Sequence, residues 1–234
     1  MMSMVVKEFD NASYEYNKQL NQGLYLSGEN SDYFARKRIE FIKDFIISTP
    51  MQPEIVMDFG CGVGGNVGHL LREFSPQKLI ASDISSKSLQ ILKKKYMSGI
   101  INIHNTTDFL ESSICDFVFC NGVFHHIHPN EREDSLKFIH SSLKQDGYFF
   151  FWENNPWNIG THWVMSKIPF DKDAHKIFPH TAVNFLSRSG FQILGVKYFF
   201  IFPKFLKFLR ILEYRLSRFP LGAQYLIIAK KNES

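Results

Sequence analysis

The chain has 234 residues, 44% of them hydrophobic and 21% charged, with a net charge of +4 and three cysteines. That length and balance suit one α/β domain with additions and an ordinary soluble composition. They exclude several classes: no run approaches the roughly 18 uninterrupted apolar residues of a membrane span. The start, Met1 to Asp10, has no apolar core of signal-peptide length, and Cys61, Cys115 and Cys120 are too few and irregular for a disulfide framework or zinc site. A cytoplasmic location is therefore expected. Positive charge is concentrated between Lys197 and Phe219, where Lys197, Lys204, Lys207, Arg210, Arg215 and Arg218 face one acid, Glu213. The remainder is slightly acidic, so a nucleic-acid footprint is not expected.

In chain order, residues 1–50 read as an N-terminal helical cap. Ser31-Asp32 is placed to cap a helix running to about Ser48, with Phe34, Ile39, Phe41, Ile42, Phe45 and Ile46 as its apolar positions. Pro50 and Pro53 break the chain before the main domain, 51–234. There the pattern predicts strand 54–59, helix 65–74, strand 78–82, helix 86–97, strands 101–105 and 114–120, helix 130–144 and strand 148–153. The alternation specifies a parallel sheet with helices on both faces. A helix at 180–189 ends at Gly190, and two β-like runs follow, Phe191 to Phe202 and Gln224 to Lys230. They flank the insertion 203–222 and are expected to pair antiparallel at one sheet edge.

The densest signal is the first strand-to-helix turn, Asp58-Phe59-Gly60-Cys61-Gly62-Val63-Gly64-Gly65-Asn66, followed by Asp83 at the end of the next strand. Strand, glycine turn, helix, strand, acid is the opening of a nucleoside-binding βαβ unit. Gly60, Gly62 and Gly65 satisfy G-x-G-x-x-G, while Asp58 with Gly60, Gly62 and Gly64 reads as D-x-G-x-G-x-G. The plainer alternative is a turn that needs glycine with no ligand.

The wider set of landmarks resembles the class I S-adenosylmethionine-dependent methyltransferases, particularly the group that includes ubiquinone-biosynthesis methyltransferases. The matching residues are Val56 to Gly64, Ser82-Asp83-Ile84-Ser85, Thr107-Asp108-Phe109, Cys115 to Ile127 and Leu143 to Tyr148, in the correct order. Ser27-Gly28-Glu29, Tyr33-Phe34-Ala35-Arg36 and Phe219 to Tyr225 look like a less-studied bacterial subgroup. The resemblance implies a Rossmann-like seven-stranded, mostly parallel sheet closed by an antiparallel terminal hairpin, and S-adenosyl-L-methionine as cofactor. It implies that Gly60, Cys61, Gly62 and Gly64 pack on the methionyl and ribose parts, and that Asp83, beside Ile84, accepts from the ribose hydroxyls. Asp108 and Phe109 would hold the adenine, and Asn121-Gly122 would face the methionyl group. Asp58 joins this set, although ordering the loop is its plainer role; Asp83 competes with Ser85 as a helix cap, and Asp108 with a turn cap. Arg36 and Arg38 could reach the cofactor carboxylate or simply be solvated.

His125 and His126 follow the fourth strand at the mouth of the crevice, where an imidazole could orient or deprotonate an acceptor. A loop-ordering hydrogen bond is the alternative. With His128 they lack metal-ligand spacing, so no metal is expected. Tyr14 and Tyr16 belong either to a lid or to the core. Acceptor specificity is expected in 154–177, through Asn154, Asn155, Trp157, Trp163, Met165, Ile168 and Phe170. On a helical wheel at 100° per residue, Phe205, Phe208, Leu209, Leu212 and Leu216 fall opposite Lys204, Lys207, Arg215 and Arg218, with Ile211 off the pattern. Such a helix packs on the protein, or contacts a membrane or lipid substrate through 203–219. The function expected is methyl transfer to a small-molecule or lipid-linked acceptor. The alternatives are a nicotinamide-dependent oxidoreductase and a non-catalytic binding protein of the same fold.

Overall fold

The structure is a computed structural model that describes residues 16–96, 99–108, 111–167 and 174–232. The chain opens with α1 (Tyr16–Gly23), a 3-10 turn (Leu24–Ser27) and α2 (Ser31–Ile47). Then come β1 (Ile55–Phe59), α3 (Val67–Phe74), β2 (Lys78–Asp83), α4 (Ser86–Lys95), β3 (Ile101–Asn105) and β4 (Cys115–Asn121). The second half holds α5 (Arg132–Ser142), β5 (Leu143–Asn154), α6 (Ile159–Lys167), α7 (Pro179–Arg188) and β6 (Phe191–Phe199). A 3-10 segment (Lys204–Leu212), α8 (Glu213–Leu216) and β7 (Gln224–Lys231) complete it. The seven strands lie in the order β3-β2-β1-β4-β5-β7-β6. β1 to β5 pair in parallel, and β7 runs antiparallel between β5 and β6. The expected terminal hairpin is present, with its second strand placed inside the sheet edge.

Period-2 alternation distributes the strand side chains over two cores. Met57, Val118, Cys120, Phe149, Phe151 and Ile227 face α5 and α7, meeting Leu136, Ile139, Ala182 and Leu186. Val56, Phe117, Phe119, Phe150, Trp152 and Ile228 face the other way, toward α2, α3 and α4. Ile39, Ile42 and Ile46 of α2 are fully or almost fully buried there, each side chain stabilising by roughly 1.5–3 kcal/mol. α2 therefore packs as a layer against the sheet. Its cap is one residue earlier than expected. Asn30 accepts from the Tyr33 N–H at 2.9 Å, while Asp32 turns to meet Nε2 of His69 on α3 at 2.9 Å.

Other boundaries shift where the chain changes direction. The helix expected over 130–144 begins as a 3-10 turn at Pro129–Glu131 and ends at Ser142, because Leu143 already pairs with Cys115. The strand expected to continue to Phe202 stops at Phe199, since Phe200 adopts φ +64°. The single amphipathic helix expected over 204–218 does not form. Leu206 breaks the helical geometry at φ −103°, ψ 23°, and the segment is 3-10 up to Leu212.

The first β-to-α turn packs onto α4. Gly64 sits at φ +78°, and a Cβ there would lie 2.2 Å from Cδ1 of Leu92, whereas nothing lies within 4 Å of a Cβ at Gly65. Gly64→Ala should therefore destabilise by about 2 kcal/mol or more, from overpacking and a left-handed alanine. Gly65→Ala should be near neutral, and chemical denaturation of the pair measures the contrast.

Candidate active site

The site grows from the carboxyl ends of β1, β2 and β4. The N–H groups of Gly60 and Cys61 both donate to the Ser82 carbonyl, at 2.8 and 3.0 Å, locking the glycine loop to the end of β2. Asp83 completes the lock. Its Oδ2 accepts from the Gly62 N–H at 2.8 Å and its Oδ1 from the Ser85 N–H at 2.8 Å. The helix-cap role belongs to Ser85, which accepts from the Ser88 N–H, so Asp83 is left as a loop clamp on the wall of a cavity of about 450 Å³. Gly60, Gly62, Ile84, Asn121, Gly122 and His126 also line that cavity. Gly62 is at φ +51° with open space where its Cβ would stand, so the loop backbone faces the cavity directly.

A second cavity, of about 340 Å³, lies on the other side of the β4 terminus. Its wall combines Leu20 of α1, Phe34 and Arg38 of α2, Trp163 and Met165 of α6, and Phe202 before the 3-10 segment. The two cavities share Asn121, Gly122 and His126. The partition between them is thus the turn where β4 ends. Gly122 takes φ +66°, and buried Phe124 anchors the next stretch against Phe151 and Phe185, with ring centroids 5.2 and 6.0 Å apart. His125 and His126 then stand side by side, their centroids 4.0 Å apart.

His125 is held from behind by a buried carboxylate. Its Nδ1 lies 2.6 Å from Oε2 of Glu153, and its N–H donates to Oε1 at 3.3 Å. An ionised carboxylate only accepts, so a ring paired with one carries its proton on Nδ1 and has Nε2 as its basic nitrogen. His125 lines the second cavity and His126 lines both. Sequence reasoning missed Glu153, although an acid after Tyr148-Phe149-Phe150-Phe151-Trp152 was its signal.

The structure sorts the remaining candidates. Asp58 is buried, and neither carboxylate oxygen has a hydrogen-bond partner among the described residues, so it does not order the loop through its side chain. Burial, with the Asp83 charge adding and Arg38 opposing, pushes its carboxyl up to about 8. Arg38 is buried and donates to Oε1 of Gln224 at 2.9 Å, whereas Arg36 pairs with Glu40 on the surface of α2. Cys61 is buried, as are Cys115 and Cys120, and none forms a disulfide. Burial raises all three thiols, Cys115 to about 12. Gly64 is a packing glycine off the cavity wall. Asp108 is exposed, accepts from the Thr107 hydroxyl and is not part of the lining, which reaches only Thr106. Phe109, Tyr14, Ile168 and Phe170 lie outside the described residues, and the side chain of Tyr16 is not among them.

In the 154–177 segment, Asn154, Asn158, Thr161, Trp163 and Met165 line the second cavity. Trp157 instead stacks beside Phe178 and His180, and Asn155 donates to the Pro220 and Gly222 carbonyls. Among the described residues, no three His, Cys, Asp or Glu side chains gather as metal ligands.

Residues that would hold an adenosyl cofactor can be tested for fit. Oδ1 of Asn121 is buried at the shared wall with no hydrogen-bond partner among the described residues, and so suits a ligand donor. The bare Gly62 backbone and the Asp83 carboxylate sit on the same cavity wall. These features suit a nucleoside-bearing cation.

Residues 56–147, from β1 into β5, match the family described as a methyltransferase domain. None of the proteins of curated function matches the chain significantly. Among solved structures, an S-adenosylmethionine-dependent methyltransferase from Thermotoga maritima is 17% identical, with 99% of this chain and 100% of that one covered at a TM-score of 0.63. One from Archaeoglobus fulgidus is 20% identical, covering 82% and 94% at 0.61. One from Mesorhizobium loti is 19% identical, covering 88% and 100% at 0.58. At these identities the likeness shows the fold, and the family model matches only the stretch from β1 into β5.

Asp58 generates a test. Its folded value, near 8, lies above its ordinary 3.8, so between those limits the native state binds a proton that the unfolded chain has released. Stability should fall as pH rises through this window, by up to about 1.4 kcal/mol per pH unit. Asp58→Asn should flatten that slope and be more stable than wild type at pH 7.5, with the gap closing toward pH 4. Denaturation midpoints across pH measure it.

Proposed function

We infer that the protein is an S-adenosylmethionine-dependent methyltransferase acting on a small organic or lipid-like acceptor. The observation that carries this is the pair of cavities meeting at Asn121, Gly122 and His126, with Asp83 on one side and the Glu153-held His125 on the other. The cofactor supplies a methyl group on a cationic sulfur, already electrophilic, so the protein's tasks are alignment and proton uptake.

A carboxylate oxygen can accept more than one hydrogen bond, so Asp83 suits the ribose hydroxyls as well as the loop. Asn121, on the wall both cavities share, suits the amino end of the methionyl tail, with Asp58 at the end of β1. The tail's carboxylate extends past that wall to Arg38 at the edge of the second cavity. Gly60, Gly62, Ile84 and Gly122 give the cofactor a close surface. Cys61 and Gly64 support the loop from behind, and Asp108 and Phe109 remain the proposed adenine side. The acceptor occupies the second cavity, where apolar walls from Phe34, Met165 and Phe202 surround a few amides. Nε2 of His125 takes the acceptor's proton, Glu153 stabilises the resulting imidazolium, and His126 helps to position the acceptor at the partition. An amphiphile of the kind the ubiquinone-biosynthesis likeness implies fits these walls. A cytoplasmic enzyme that touches the membrane surface through 203–219 belongs to the same reading.

S-adenosylhomocysteine should raise the melting temperature by several degrees, NADH should not, and Asp83→Ala should abolish the shift. Arg38→Met should weaken S-adenosylhomocysteine at least tenfold while sparing methylthioadenosine, which lacks the carboxylate; calorimetry distinguishes the two. With labelled S-adenosylmethionine and a small-molecule and lipid extract, wild type should yield labelled product. His125→Ala and Glu153→Gln should lower that yield a hundredfold or more with S-adenosylhomocysteine affinity kept.

A further inference from the structure

The segment Lys204–Leu212 takes 3-10 turns on either side of the kink at Leu206, and beyond the kink side chains three apart, Phe208 and Ile211, eclipse along one edge. Phe205 precedes them across the kink, and Tyr214 follows in α8. In chain order the four are 75%, 68%, 84% and 73% exposed, a ridge of large hydrophobic side chains turned to solvent. Ile211, which breaks the pattern at 100° per residue, is in line at 120°. The second edge is Lys207 and Arg210, with Lys204 before the kink and Glu213 following in α8. It faces the protein at two points: Arg210 meets Glu29 at 2.9 Å with its guanidinium 4.8 Å from the Tyr33 ring, and buried Glu213 accepts from the Ile201 N–H. Lys204 and Lys207 remain exposed, as do Arg215 and Arg218, and none of the four has an ion pair among the described residues. With Glu213 buried, the exposed charges from 204 to 221 are all positive.

Chain neighbours of the ridge line the second cavity: Phe202, Pro203 and Arg210 are in its wall. Across from them, Asn158 donates to the Leu221 carbonyl at 2.7 Å, and its neighbour Ile159 is 85% exposed. Exposed apolar side chains from two separate elements thus adjoin wall residues of one cavity, with unpaired cations among them. Apolar side chains that insert into the headgroup boundary, with cations held against its negative surface, are the chemistry of an anionic lipid interface.

We propose that residues 204–221, with Ile159, form a docking surface for an anionic bilayer, which seats the second cavity against the lipid phase so that its acceptor enters from the membrane. The docking stands on the surface itself; the entry route rests on the reading of that cavity as the acceptor chamber.

Flotation with phosphatidylcholine vesicles, with and without phosphatidylglycerol, tests it. Wild type should float with the anionic vesicles at low salt, weakly with the neutral ones, and detach as salt rises. Replacing Lys204, Lys207, Arg215 and Arg218 together by Gln should lower the partition constant by roughly a hundredfold or more, at about 1 kcal/mol per cation. Phe205→Ser with Phe208→Ser and Ile211→Ser should lower it as far, while the S-adenosylhomocysteine shift and melting temperature stay at wild-type values. Failure of wild type to float on anionic vesicles at low salt overturns the proposal. So does sedimentation showing a dimer that the ridge substitutions dissolve, which would make the occupant a second copy of the chain. S-adenosylhomocysteine binding, measured on the same samples, reports separately on the methyltransferase reading.

Discussion

The carboxylate of Asp83 is the constraint on which the rest of the site depends. Each of its oxygens takes one backbone N–H, Gly62 from the loop after β1 and Ser85 from the approach to α4. Such charge-assisted bonds contribute about 1.5–3 kcal/mol each. The end of β2 therefore fixes two turns at once, and with the Ser82 carbonyl it fixes the glycine loop at Gly60, Cys61 and Gly62. The group that shapes the loop also stands on the cavity wall.

The two cavities are built from different kinds of contact. The Asp83 side comes from strand ends and turns within 56–135, close in sequence to their partners. The second cavity is closed by pairs far apart in the chain. Arg38 reaches Gln224 across 186 residues and Arg210 reaches Glu29 across 181. Those contacts tie the N-terminal region to β7 and to the segment before it.

That difference explains what the sequence could reveal. β1, the glycine turn, β2 and Asp83 carry local signals, namely an apolar run, glycines where φ is positive, and an acid at a strand end. The antiparallel β7 was legible because the Phe191 and Gln224 runs leave no room for a crossover helix. The His125–Glu153 pair was not, because a hydrogen bond between neighbouring strand ends has no fixed spacing. Nor was the burial of Arg38, whose place depends on how α2 meets β7. Ile211 shows a different failure: a period of 3.6 was assumed where the backbone takes 3.0. Asn30 rather than Ser31 caps α2: Asn30 is the extended residue whose Oδ1 takes the Tyr33 N–H, and the Ser31 N–H is satisfied by Oδ1 of Asn21 at 2.8 Å.

The three cysteines have a consequence for watching this molecule move. Thiolate, not thiol, attacks disulfide reagents, and burial holds all three thiols protonated and out of reach. Alkylation in the native protein can then proceed only through opening events, and the three positions sample different ones. Cys61 lies in the glycine loop, while Cys115 and Cys120 lie at opposite ends of the central strand β4. The ratio of their labelling rates separates breathing of the loop from unzipping of the sheet, so the chain carries its own clock for local opening.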